Sequence, residues 1–258
     1  MRLPATLAFL IAQMPMTQSS RRALVTGASG AIGAAIAKAL ADAGHEVIVH
    51  ANTNLDRAKA VADGIVQGGG KASAIAFDVA DATASHDAIA GLVDERPLQI
   101  IVNNAGIHDD APMAGMSEAQ WRRVIDVSLN GFFNVTQPAL LAMARTRFGR
   151  IVSVSSVAAV LGNRGQTNYA AAKAGLHGAS RSLAREMASR GITVNVVAPG
   201  LIESPMLGEQ FDAPAIKALV PAGRVGTPGE VAALVAFLCS DAAGYINGQV
   251  IGINGGMG

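Results

Sequence analysis

Short apolar runs recur along this chain near residues 23–26, 46–50, 73–77, 99–103, 150–155, 192–198 and 248–252, and helical patterns fill the stretches between them. Strands that alternate with helices form βαβ units, whose right-handed crossovers sandwich a mostly parallel sheet between two helical layers. The pattern predicts an α/β fold: a doubly wound, mostly parallel, Rossmann-like sheet in a single domain. Ligands of such sheets bind beyond the carboxyl ends of the strands. Gly27, Asn104, Ser156 and Pro199 each follow a predicted strand directly, so their segments should converge on one edge. The long irregular stretch from Leu201 to Thr227 holds Pro205, Pro214 and Pro221, with Pro228 just beyond. A loop that long in a compact domain is usually functional, and it reads as a lid over a substrate.

The domain reading covers residues 21–258, with 1–20 as an extension outside the fold. Arg2 followed by the apolar run Pro4 to Ala12 has the outline of a signal peptide, but no small-x-small cleavage site follows it. Met14 and Met16 precede a polar lead-in, Thr17 to Arg22, and the expectation is a natural start at Met16 or an appendage over residues 1–15.

Composition narrows the partners. Half of the 258 residues are apolar, the net charge is +1 and 15% of residues are charged, so no field exists that would recruit nucleic acid. No apolar run reaches the ~18 residues of a membrane span. What remains is a small-molecule or carrier-bound substrate, handled in the cytoplasm. The single cysteine, Cys239, cannot form an internal disulfide and lies in an apolar helix pattern, which reads as core. His45, His86, His108 and His177 show no metal-ligand spacing, and no metal is expected. Trp121 reads as a helix-face anchor, and Phe132, Phe133 and Met143 as core or subunit interface.

Chemistry enters with Asn168-Tyr169-Ala170-Ala171-Ala172-Lys173, about a dozen residues after Ser153-Val154-Ser155-Ser156. A Tyr and a Lys four apart share one helix face, so the ammonium can sit beside the phenol. A neighbouring cation favours phenolate and brings proton transfer nearer to working pH. Toward the other end, Ala23 to Gly33 reads as a strand, a glycine-rich turn and the start of a helix. Such a turn aims backbone N–H groups and a helix dipole at one point, which suits a pyrophosphate. The cofactor's 2′ position is read at Val49 to Asn54. An NAD site needs an acid there, but no carboxylate occurs before Asp56, and His50, Asn52, Thr53 and Asn54 can donate to a phosphate. The expected cofactor is NADP(H).

Together with Asn103-Asn104-Ala105-Gly106 and Pro199-Gly200, these segments resemble the short-chain dehydrogenase/reductase family over residues 21–258. The stretches Asn163 to Tyr169, Arg190 to Asn195 and Ile253 to Met257 are similar to the 3-oxoacyl-acyl-carrier-protein reductases within it. The resemblance implies NADPH-dependent reduction of a 3-oxoacyl thioester, on acyl carrier protein or coenzyme A, in a homotetramer closed partly by the Gly-Gly-Met tail. It implies that Tyr169 protonates the carbonyl oxygen, that Lys173 lowers the tyrosine's pKa and holds the nicotinamide ribose, and that Ser156 donates to the carbonyl oxygen. Gly27, Ser29, Gly30, Ile32 and Gly33 would hold the pyrophosphate, with Asp78 and Val79 at the adenine. Asn104, Ala105, Gly106, Pro199, Gly200, Ile202 and Ser204 would line the nicotinamide side.

Two departures stand out. Ser128 occupies the position where this family usually carries a catalytic asparagine, with Asn130 two residues late and on another helical face. Ala31 stands where a glycine is common, and Gly30 where an arginine often contacts the 2′-phosphate. Arg147 and Arg190 match carrier-docking arginines. Two other readings remain: a reductase or dehydrogenase of free ketones or secondary alcohols, and a non-catalytic dinucleotide-binding subunit.

Overall fold

The computed structural model describes residues 20–204 and 213–258. Seven parallel strands form one sheet: β1 (Arg22–Val25), β2 (Glu46–Ala51), β3 (Lys71–Ala76), β4 (Ile100–Asn103), β5 (Gly149–Val154), β6 (Ile192–Pro199) and β7 (Val250–Ile253), in the order β3-β2-β1-β4-β5-β6-β7. Every predicted strand is present, displaced by at most two residues. β7 starts late because Gly248 takes a left-handed φ of 70° and the Gln249 N–H is held by the Asn195 side chain, so the chain turns before it pairs.

The helices are α1 (Ala31–Asp42), α2 (Leu55–Gln67), α3 (Ala82–Glu95), α4 (Glu118–Ile125), α5 (Gly131–Thr136), α6 (Leu140–Thr146), α7 (Ala158–Leu161), α8 (Thr167–Met187), α9 (Ala213–Leu219) and α10 (Pro228–Cys239). Local chemistry fixes several starts. Asn54 caps α2 and Asp81 caps α3, while Ser117 with Gln120 and Thr227 with Glu230 form capping boxes on α4 and α10. The buried stripe Gly33, Ile36, Ala37, Leu40, Ala41 of α1 follows helical spacing and packs with Val231, Val235 and Leu238 of α10 on one sheet face. On the other face, Leu176 of α8, Ile89 of α3 and Val135 of α5 cover Ile101 and Ile151. The sheet is thus buried on both sides, which is why its strands read as continuous apolar runs. Cys239 lies in this core, where burial pushes its thiol up to about 12. Among the described residues no helix is long and apolar enough to cross a membrane.

Chain order reverses between β1 and β4, so the crossovers leave in opposite directions there and open a crevice above the strand ends. Register sets those ends level, with Val25 paired to Val49 and Val102, Val102 to Val152, and Val154 to Val197. The extension falls almost wholly outside the described residues, as does 205–212 of the stretch read as a lid. The rest of that stretch is anchored at its base, where Ile202 pairs with Gly226 and Arg224 grips both carboxylate oxygens of Glu230 at 3.0 and 2.6 Å.

The seat of α1 is the least forgiving point of this frame. A Cβ on Gly33 would lie 2.5 Å from the Gly27 carbonyl oxygen and 2.7 Å from Ala28 Cα, both backbone atoms. Gly33→Ala should therefore destabilise the protein by ~1–3 kcal/mol, the usual cost of overpacking, seen as a lower urea midpoint with an unchanged slope.

Candidate active site

The glycine turn between β1 and α1 is tied to the end of β4. The Thr26 hydroxyl accepts from the N–H groups of Asn104 and Ala105 at 3.0 Å each, and the Asn104 amide donates to the carbonyls of Thr26 and Gly27 at 2.9 and 3.2 Å. Gly27 has φ 62°, and a Cβ there would meet Ala105 Cα at 2.9 Å. No side chain caps α1, so its first N–H groups are available to an anion. Ala31 is the first residue of the helix and carries no positive φ, so alanine is unstrained where glycine is common.

Beyond β5, Ser156, Tyr169 and Lys173 meet in a cleft of about 500 Å³ that also touches Gly27, Gly106 and Pro199. α8 presents Tyr169 and Lys173 on one face, and the Lys173 Nζ lies 5.7 Å from the phenol ring centroid. Asn168, fully buried, sets the ring's entry: its amide donates to the carbonyls of Asp109 and Gln120, and its oxygen accepts the Tyr169 N–H at 2.8 Å. Lys173 is 3% exposed and donates to the Val154 carbonyl at 2.9 Å. Gly106 makes room for it, since a Cβ there would lie 2.8 Å from Nζ. An ammonium has three donors, and with this one partner among the described residues two are left for the cleft.

Burial dominates the electrostatics. It pulls Lys173 down to about 8. It raises the Tyr169 phenol above its ordinary value, only partly opposed by hydrogen bonding from Ser156, with Asp110 adding to the rise. The net direction at Tyr169 is thus upward, set by burial, with Ser156 as the opposing influence. Behind Ser156, the Ser155 hydroxyl lies 3.1 Å from the Lys173 carbonyl and 2.8 Å from His177 Nε2. His177 was legible in sequence only as one turn beyond Lys173 on the same face.

Ser128 lies in a π-helical turn, Asp126–Asn130, beneath Gly106. Its Oγ is buried with no hydrogen-bond partner among the described residues and would sit 3.6 Å from a Cβ on Gly106. Asn130 points elsewhere, donating to Asp126 at 2.7 Å.

A second cavity of about 770 Å³ adjoins the first and holds Ser29, Gly30, His50, Asn52, Asp78 and Val79. His50 corrects an expectation. It is 1% exposed, its Nδ1 accepts the Gly27 N–H at 3.1 Å, and its Nε2 is 2.8 Å from the Phe77 carbonyl. Burial lowers it to about 4. With both nitrogens used inside the fold, His50 braces the glycine turn and has no proton for a phosphate. Thr53 lines neither cavity, and Asn54 is spent on the α2 cap. Ile32, Ala105, Gly200, Ile202 and Ser204 line the first cavity.

Arg147 leans on the turn that carries Arg190, with a hydrogen bond to the Ser189 carbonyl at 3.2 Å. Both precede strands that end at the cleft holding Tyr169. The six residues of β5 put them ~20 Å below it at ~3.3 Å per residue, so one chain does not bring these arginines to its own Tyr169.

A profile of the family described as enoyl-(acyl carrier protein) reductase matches residues 27–258. The 3-oxoacyl-[acyl-carrier-protein] reductase FabG of Escherichia coli K12 is 44% identical over 245 residues, covering 94% of this chain and 99% of its own. Its namesake from Staphylococcus aureus Mu50 is 46% identical over 247 residues, covering 95% and 99%. This chain belongs to the short-chain dehydrogenase/reductase family. Within that family it is an oxidoreductase built on a nicotinamide dinucleotide site, and the uncapped α1 turn with the two free donors of Lys173 fits such a cofactor.

The site's pH dependence follows from Lys173. Its charge is present below about 8 and lost above it. If that charge stabilises a phenolate left after proton donation, turnover should fall as pH rises through about 8, read from kcat at saturating cofactor across a pH series.

Proposed function

We propose that this chain reduces the keto group of a 3-oxoacyl thioester, carried on acyl carrier protein or coenzyme A, to the 3-hydroxyacyl product with NADPH, in fatty-acid or polyketide-type synthesis in the cytoplasm. The observation that carries the reading is a buried tyrosine acid, with Ser156 beside it and a buried ammonium behind it, in one cleft. Two hydroxyl donors converging on one point suit a carbonyl oxygen, whose charge grows as the bond is reduced. The bound nicotinamide supplies the hydride. The chain's own part is to receive the carbonyl oxygen on the Ser156 and Tyr169 hydroxyls and to pass the phenolic proton to it. The Lys173 charge then steadies the phenolate, and the two free Lys173 donors hold the ribose.

NADP(H) is the reading of the second cavity because no acid stands at the end of β2: Asp56 is 95% exposed on the first turn of α2, beside Lys59. Asn52 remains a donor on that wall. Ser128 keeps the backbone turn that an asparagine would occupy, and its free hydroxyl serves proton return to Lys173. The chain works as a homotetramer, closed partly by the Gly255-Gly256-Met257 tail. Acyl carrier protein, an acidic partner, is steered by Arg147 and Arg190; their distance from Tyr169 means that a carrier docked there serves another subunit's cleft.

The relatives' name specifies a keto group, whereas the matched family's description specifies an enoyl group. Turnover of acetoacetyl-coenzyme A and of crotonyl-coenzyme A with NADPH separates them. The expected result is oxidation of NADPH with the keto substrate alone, reduced at least ~100-fold in Tyr169→Phe, in line with general acid catalysis. Turnover of the enoyl substrate alone would reverse the assignment, reduction only of free ketones would favour the secondary-alcohol reading, and cofactor binding without turnover the non-catalytic one.

A further inference from the structure

We infer that Arg57 is the cation that selects the 2′-phosphorylated cofactor, in place of any side chain on the glycine turn; this rests on the NADP(H) reading above. Arg57 lies in the first turn of α2 and lines the second cavity together with Ser29, Gly30 and Asn52. Its position is fixed at two points. The Asn54 side chain accepts the Arg57 backbone N–H at 3.0 Å, and the guanidinium donates to the Ser29 carbonyl at 3.3 Å, crossing from α2 to the glycine turn. A guanidinium has five N–H donors, and among the described residues only one of them is engaged.

The surroundings isolate this charge. Gly30 carries no side chain, and a Cβ there would find only the Gly27 oxygen, at 3.5 Å, so the space beside Ser29 is open. His50, which also lines this cavity, is sealed into the fold, and the cavity's carboxylates, Asp78 and Asp126, come from elements other than α2. The other arginines of the cavity, Arg122 and Arg123, come from α4, and Arg122 is bound to Glu118 at 2.7 Å. A planar fork with free donors, pinned by its own backbone cap, suits bidentate binding of a phosphate monoester. The same charge leaves a ribose with a free 2′-hydroxyl without a matched anion.

The test is equilibrium binding of NADPH and NADH, followed by nicotinamide fluorescence, in the wild type, Arg57→Ala, Arg123→Ala and the double variant Arg57→Ala/Gly30→Arg. Wild type should prefer NADPH. Arg57→Ala should lose roughly ten- to hundredfold in NADPH affinity, as expected for a charge-assisted pair, and keep its NADH affinity, which also shows that the fold is intact. Arg123→Ala should retain the preference. The double variant should regain it, because Gly30 has an ordinary negative φ of −91° and open space toward the same spot. Preference for NADPH undiminished in Arg57→Ala, or lost in Arg123→Ala instead, would overturn the assignment while leaving the cofactor reading intact. Equal affinity of the wild type for both nucleotides would overturn the cofactor reading itself.

Discussion

The burial of the Lys173 amine constrains everything around it. An ammonium almost without solvent and with one acceptor among the described residues is costly to keep charged, and its pKa is lowered to about 8. The remaining donors need partners in the cleft. Gly106 has no side chain because the amine occupies that space, the π turn at Asp126–Asn130 passes beneath it, and Tyr169 stands one helical turn before it. The same dry surroundings raise the phenol of Tyr169, so the pair consists of an acid that keeps its proton and a cation ready to stabilise the conjugate base.

That chemistry is useful only if the cofactor's two ends are held at fixed points, and the sheet supplies the ruler. Thr26 and Asn104 lock the first and fourth strands together at the place where chain order reverses. Gly33 lets the first helix sit down on the turn, and His50 braces that turn from behind through the Gly27 N–H. The glycine turn, the end of β4 and the Tyr169 cleft are thus parts of one edge, while among the described residues the stretch from Leu201 to Thr227 is held by the Ile202–Gly226 bridge, the Ala222 N–H on the Gly255 carbonyl and the Arg224–Glu230 pair.

Much of this was legible in the chain. Strands buried on both faces announce themselves as apolar runs, and the Tyr169–Lys173 spacing survives translation into a helix face without ambiguity. What escaped was interaction across elements. His50 read as a polar group at a strand end and became a sealed brace, because the sequence does not show that the Phe77 carbonyl and the Gly27 N–H close on its two nitrogens. Arg57 belongs to no motif in the sequence, and its place over the glycine turn emerges only from the packing of α2 against that turn. The upward shift at Tyr169 was also beyond spacing alone, since burial is set by packing across elements.

The central claim is that Tyr169 is a phenol held protonated by burial. The chain has two tyrosines, and the other, Tyr245, is fully exposed, so carbon-13 labelling at the tyrosine Cζ gives two NMR signals, assigned with Tyr169→Phe. Titrated without cofactor, the Tyr169 signal should stay at its phenol position past the ordinary midpoint of about 10. A midpoint well below that value would mean that the lysine charge, and not desolvation, governs the site.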